Sequence, residues 1–130
     1  MKNLKMQKSR FFLIGFTAIT DIIIFIAAYL ISFWIRFYSG LIKIEKGIPN
    51  VRDYIIPLIL IIVISTVIFK KRDLYRRDIT TNEYANLFNS MIIVLFLFMA
   101  FTFVYRETSF SRGFILINFI STFILLCFNR

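Results

Sequence analysis

From Phe11 to Phe37 the chain carries a single charge, Asp21, before its closing Arg36, and most of that stretch is Phe, Ile, Leu and Ala. A helix of this length, rising ~1.5 Å per residue, crosses the ~30 Å hydrocarbon core of a bilayer even when tilted. Three more apolar runs follow, Tyr54–Phe69, Leu87–Tyr105 and Gly113–Asn129. The second is short for a span. Lys70 and Lys71 can snorkel beyond its end, and Pro57 falls in its first turn, where a missing N–H costs little. Ile22–Ile26 and Met91–Phe101 are apolar on every face. That suits helices among lipid and other helices, not the alternating strands of a barrel. The expected fold is all-α: an integral-membrane four-helix bundle, one domain over residues 1–130.

Composition supports a lipid environment. Of 130 residues, 59% are hydrophobic and 17 are Phe, and the mean hydropathy is +0.80. Soluble domains hold about 45–50% apolar residues with Gly included. A cleavable signal peptide would use Met1–Arg10 as its basic start. The apolar run is longer than such peptides carry, Asp21 interrupts it, and three spans follow, so it reads as a retained helix.

Charge sets the expected orientation. Ten of the 16 Lys and Arg residues fall on one side: those before Phe11, those of the Lys70–Arg77 loop, and Arg130. Six fall on the other side. The excess places both termini in the cytoplasm. The outer loop Tyr38–Asp53 carries Gly40, Gly47 and Pro49, and the loop Arg106–Arg112 is short enough for a helical hairpin. Thr80 three residues before Glu83 is a capping-box pattern, so the third helix should begin near Thr81, ahead of its apolar stretch.

Much chemistry is excluded. The chain has no His and one Cys, which removes the commonest general base and metal ligand and any internal disulfide. Cys127, in an apolar run, reads as a buried, inert thiol. Trp34, Tyr38, Tyr54 and Tyr105 fall near the outer boundary and read as an interfacial belt.

Asp21 is the most unusual residue. Counted from Arg10 it lies roughly 16 Å into the bilayer, where a carboxylate costs ~2.5–3.5 kcal/mol and should therefore face protein. Arg10, Thr17, Asp21, Ala28 and Ser32 share one narrow helical stripe, with Ile19, Ile23, Ile26 and Leu30 opposite. Small and polar stripes are what membrane helices prefer at their contacts. By depth, Ser121 and Thr122 on the fourth helix lie level with Asp21, and Asn118 about a turn shallower. Asp21 is then either a proton or ligand site or a packing and hydrogen-bond anchor. The basic cluster Lys70, Lys71, Arg72, Arg76 and Arg77 is a candidate contact for a lipid phosphate, or the ordinary positive-inside signal. Nucleic acid is not an expected partner, because the positive charge is split between two membrane faces.

Several of these pieces, in order, resemble a known family: Ser9-Arg10 before helix one, Asp21 within it, Arg36-Phe37 closing it, Pro49 and Tyr54 before helix two, Asp73–Arg77 (DLYRR) after it, Phe110–Phe114 (FSRGF) opening helix four, and Arg130 ending it. This pattern is similar to the N-terminal membrane domain of bacterial polyprenyl-phosphate hexose-1-phosphate transferases, which initiate exopolysaccharide, capsule and O-antigen (lipopolysaccharide) synthesis. The resemblance implies a multi-pass domain of the bacterial inner membrane that anchors and assembles a sugar-phosphate transferase, with the bilayer, undecaprenyl phosphate and a second copy as partners. The family's catalytic residues, an Asp-Glu pair with magnesium, lie in a cytoplasmic domain. Asp and Glu are never adjacent here, so no catalytic, cofactor or metal residue is expected in this chain. The family would continue past Arg130, which makes the chain a fragment, a truncated product or one part of a split enzyme. Two alternatives stand. A related domain precedes nucleotide-sugar dehydratases and epimerases, but those follow LYR with Trp-Arg-Tyr where this chain has DITTNEY. The opening SRFFLIGF also resembles small GtrA-type flippases of polyprenyl-linked sugars.

Overall fold

A computed structural model of the chain describes residues 2–45, 47–75, 82–105 and 111–130. Among these there are four α-helices and no strand: α1 Lys2–Phe37, α2 Ile55–Lys71, α3 Glu83–Val104 and α4 Arg112–Asn129. Each is long and apolar enough to cross a membrane, α2 once the 3-10 turn Val51–Tyr54 is counted with it. That turn, with Asn50 Oδ1 accepting from the Arg52 N–H at 3.4 Å, lengthens the span that looked short in the sequence. Helix α3 starts at Glu83 with Asn82 as its N-cap. Thr80, which with Glu83 forms the expected capping box, and Thr81, the expected start, lie outside the described residues.

The contacts run along a simple circuit. α1 packs mainly on α4, α2 on α3, and weaker seams join α1 to α2 and α3 to α4. The stripe expected on α1 is the buried one: Thr17, Asp21, Ala28 and Ser32 are buried together with Phe25 and Tyr29. Ile19, Ile23, Ile26 and Leu30 point outward. Arg10, at the stripe's start, is exposed.

Two apolar clusters fill the bundle. One joins Tyr29, Phe37, Tyr54, Ile61, Phe98 and Phe114. The other joins Phe25, Phe69, Leu74, Leu87, Met91 and Leu126. They mark two poles, named here by Arg36 and Asp21. Tyr54 is a correction to the expected belt. It is buried in the first cluster, and its carbonyl accepts the Tyr29 hydroxyl at 2.6 Å. Trp34 and Tyr38 do stay exposed. Cys127 is half-buried, less enclosed than expected.

Helix α1 outruns its neighbours. Its 36 residues span about 54 Å. Only the part from Thr17 onward carries buried residues, and Phe11, Phe12 and Phe16 beyond the bundle's foot are exposed.

Candidate functional site

The buried charges gather where α1, α3, α4 and the turn after α2 meet. Helix α2 ends in a Schellman turn. The Leu74 N–H reaches Phe69 O at 3.0 Å and the Asp73 N–H reaches Lys70 O at 3.3 Å. Asp73 takes the left-handed position, φ 53°, which glycine usually fills. The turn buries Leu74 against the Phe69 cluster and brings Tyr75 inward beside Phe69, ring centroids 6.2 Å apart.

Arg130 closes the site. Its Nη2 donates to Asp21 Oδ2 at 2.8 Å, and both side chains are almost wholly buried. Its Nη1 donates to the Leu74 carbonyl and pairs with Glu83 Oε1 at 3.4 Å. The neighbouring Asn129 Nδ2 reaches Asp21 Oδ1 at 3.5 Å. One guanidinium therefore binds α4 to α1, to the start of α3 and to the turn after α2. Two charges in such a place are tolerated because each satisfies the other.

This corrects the depth expected for Asp21. The carboxylate does face α4, but its partners are Arg130 and Asn129, not Ser121, Thr122 or Asn118. Asp21 sits at the bundle's foot, level with the end of α2 and the start of α3, because α1 begins well before the bundle does. Thr122 and Asn118 are buried higher on α4, where the Thr122 hydroxyl donates to Asn118 O at 2.7 Å. Ser121 is half-buried. The Thr17 hydroxyl donates to Leu13 O at 2.9 Å, inside its own helix. The hydroxyls of this stripe thus bond their own backbones and leave the small side chains as packing surface. Asn118 Oδ1 is buried without a hydrogen-bond partner among the described residues.

Lys70, Lys71 and Arg72 are exposed around the same pole. Arg72 Nη1 lies 3.4 Å from Asn86 Oδ1, and Asn86 Nδ2 donates to Arg72 O at 3.3 Å. Arg76 and Arg77 lie outside the described residues. No group of three or more His, Cys, Asp or Glu comes together among the described residues.

Beside the ion pair lies a cavity of ≈ 440 Å³. Gln7, Arg10, Tyr75, Asn129 and Arg130 supply its polar wall, and Phe11, Leu13 and Phe16 its apolar wall. Burial pushes the Tyr75 hydroxyl above the ordinary tyrosine range, so it stays neutral near pH 7. Arg130 Nε is buried and has no hydrogen-bond partner among the described residues.

At the opposite pole, Arg36 Nε donates to Ser111 Oγ at 2.7 Å and its Nη1 to Lys43 O at 3.4 Å. Gly113 lies alongside, where a Cβ would sit 3.4 Å from Arg36 Nε.

No protein-family model, curated protein or solved structure matches this chain.

Proposed function

We propose that the chain is the membrane-anchoring and assembly domain of a sugar-phosphate transferase that loads undecaprenyl phosphate in bacterial exopolysaccharide or capsule synthesis. The observation that carries the reading is where the resembling motifs meet. Asp21, the DLY of DLYRR and Arg130 converge on one ion-paired site. Arg36 and the Ser111 of FSRGF meet at the other pole, and Phe37 packs against Tyr54 with ring centroids 5.9 Å apart. Motifs scattered along the sequence thus serve as fastenings between helices, the work of a scaffold.

In this reading the Asp21 pole is cytoplasmic. The exposed Lys70, Lys71 and Arg72 and the basic start of α1 belong to it, and basic residues are retained on that side. Arg130 then delivers the chain to the cytoplasmic surface, beside the membrane where a polyprenyl phosphate is met. Catalysis belongs to a separate domain carrying the Asp-Glu pair and magnesium, and this bundle holds that domain at the bilayer.

A graft tests the proposal. A transferase stripped of its own membrane domain is joined behind residues 1–130, and lipid-linked sugar phosphate is measured in membranes of cells lacking the enzyme. Restored product, with a reporter at Lys46 exterior and one at Arg76 cytoplasmic, is the expected result. A soluble or inactive graft overturns it. So does transport of polyprenyl-linked sugar by the chain alone in vesicles, which would make it a flippase.

A further inference from the structure

We propose that the cavity at the foot of α1 binds one anionic glycerophospholipid of the surrounding bilayer, its phosphodiester held between Arg10 and Arg130. The inference stands independently of any role in polysaccharide synthesis.

Arg130 supplies the first reason. Its side chain is 2% exposed. Its two terminal nitrogens are engaged by Asp21, Glu83 and the Leu74 carbonyl. Its Nε has no acceptor among the described residues, and an unmade buried donor is costly. Arg130 lines the cavity, so an occupant rich in acceptor oxygens would complete the guanidinium's bonding.

The wall supplies the second. Among the described residues it holds two guanidiniums and no carboxylate, with the Gln7 and Asn129 amides as further donors and Thr20 and neutral Tyr75 as hydroxyls. Guanidinium groups favour phosphate oxygens by geometry as well as charge. Asp21 and Glu83 both pair with Arg130, and neither lines the cavity. Arg10 forms no ion pair among the described residues. That balance suits the single charge of a phosphodiester better than a phosphomonoester, which brings about 1.5–2 charges at pH 7.

The third reason is shape. The ≈ 440 Å³ of space is far more than a phosphate group fills. Phe11, Leu13 and Phe16 border the cavity and are exposed, apolar surface that a free ion would leave uncovered. An amphiphile covers both walls, with its headgroup on the arginines and its acyl chains along the phenylalanines. Basic pockets between membrane helices at the headgroup level recognise lipids in this way.

Native mass spectrometry of the full chain in mild detergent, loaded with equal phosphatidylglycerol and phosphatidylcholine, tests the site. Phosphatidylglycerol should be retained about tenfold over phosphatidylcholine. Arg10→Gln, at an exposed position that leaves the bundle intact, should abolish the preference. Arg130→Lys keeps a cation against Asp21 and deletes Nε, and should lower retention about threefold or more. Millimolar inorganic phosphate should not displace the lipid. Equal retention of the two lipids, or a preference that survives Arg10→Gln, overturns the proposal. Displacement by inorganic phosphate overturns it in favour of a free-anion site. Stronger competition by phosphatidic acid overturns it in favour of a phosphomonoester lipid.

Discussion

At the Asp21 pole three helices and a turn meet on one guanidinium, whereas at the Arg36 pole they meet on aromatic rings. Tyr29, Phe33, Tyr54 and Phe114 stand edge to face there, with Tyr29–Phe114 at 4.9 Å and Tyr54–Phe114 at 5.1 Å between ring centroids. The two arrangements fail differently. A ring lost from a cluster leaves contacts that its neighbours partly remake. A charge lost from a close buried pair leaves its partner undercompensated, and no neighbouring side chain can repack to replace it. Lipid removes most of the hydrophobic drive between membrane helices, so directional contacts at the poles decide which helices pack and at what height.

The largest expected effect breaks the ion pair from one side. Asp21→Asn keeps the size of the side chain but takes the close carboxylate from Arg130, leaving it the longer 3.4 Å pair with the partly exposed Glu83. Removing one partner of a buried pair costs about 3–5 kcal/mol in proteins, so the unfolding midpoint in detergent should fall steeply. Arg130→Gln should do the same. The double variant should recover a good part of the loss, because neither member of the close pair is left charged and the remaining Glu83 is partly exposed. Losses that simply add, with no coupling in the double-mutant cycle, would show that the pair is not the fastening described here.

Next comes the aromatic pole. Phe114→Leu fills most of the space but removes edge contacts to Tyr29, Phe33 and Tyr54. Each such contact is worth about 0.5–1.5 kcal/mol, and partial repacking should leave a loss of about 1–2 kcal/mol. A loss as large as that of Asp21→Asn would erase the contrast between the poles.

How much of this was legible in the sequence divides along the same line. The four spans follow from uninterrupted apolar runs, and the buried stripe of α1 follows from helical spacing, since both depend on one helix at a time. That Asp21 faces α4 was legible too, because a carboxylate among lipids must turn toward protein. Its level was not. Counting from Arg10 assumes that α1 enters the bundle where it enters the membrane, whereas α1 continues past its neighbours. The depth counted that way points to Ser121, Thr122 and Asn118 on α4, while Arg130 reads as an ordinary basic flank. One signal was present. Asp21 to Arg36 spans about 23 Å of helix and Ser111 to Arg130 about 28 Å, so if Arg36 meets Ser111, Asp21 comes within a turn of Arg130. Tyr54 was misplaced for a related reason. A tyrosine at a span's end suits the interface by composition, but the 3-10 turn before α2 points it inward.

The turn after α2 offers a gain in stability. Asp73 occupies a left-handed conformation, φ 53°, which costs an L-residue about 1–2 kcal/mol relative to glycine. Its side chain is exposed, so Asp73→Gly removes nothing from the core. Glycine's greater freedom in the unfolded chain returns part of the benefit, leaving a net gain of up to about 1 kcal/mol. A raised midpoint with unchanged Arg130 coupling would show that the turn carries Leu74 and Tyr75 into the site by backbone shape alone. A lowered midpoint would show that the Asp73 carboxylate itself holds the turn.

The smallest effect belongs to the polar contact at the aromatic pole. Ser111→Ala removes the acceptor for Arg36 Nε, a 2.7 Å bond between half-buried groups. Arg36 keeps its bond to Lys43 O and lies over the Phe37 ring, 5.7 Å from the centroid. The freed N–H is close enough to the surface to find water. A hydrogen bond lost under those terms costs about 0.5–1.5 kcal/mol, and the lower end is expected because the ring cluster beneath it still joins α1 to α4. The same deletion at the other pole would take the close carboxylate from a buried guanidinium. Detergent unfolding of Ser111→Ala beside Asp21→Asn therefore measures the contrast directly. If Ser111→Ala loosens the bundle as much as Asp21→Asn, the Arg36 pole too is held by a polar contact, and the rings around Phe114 are filling.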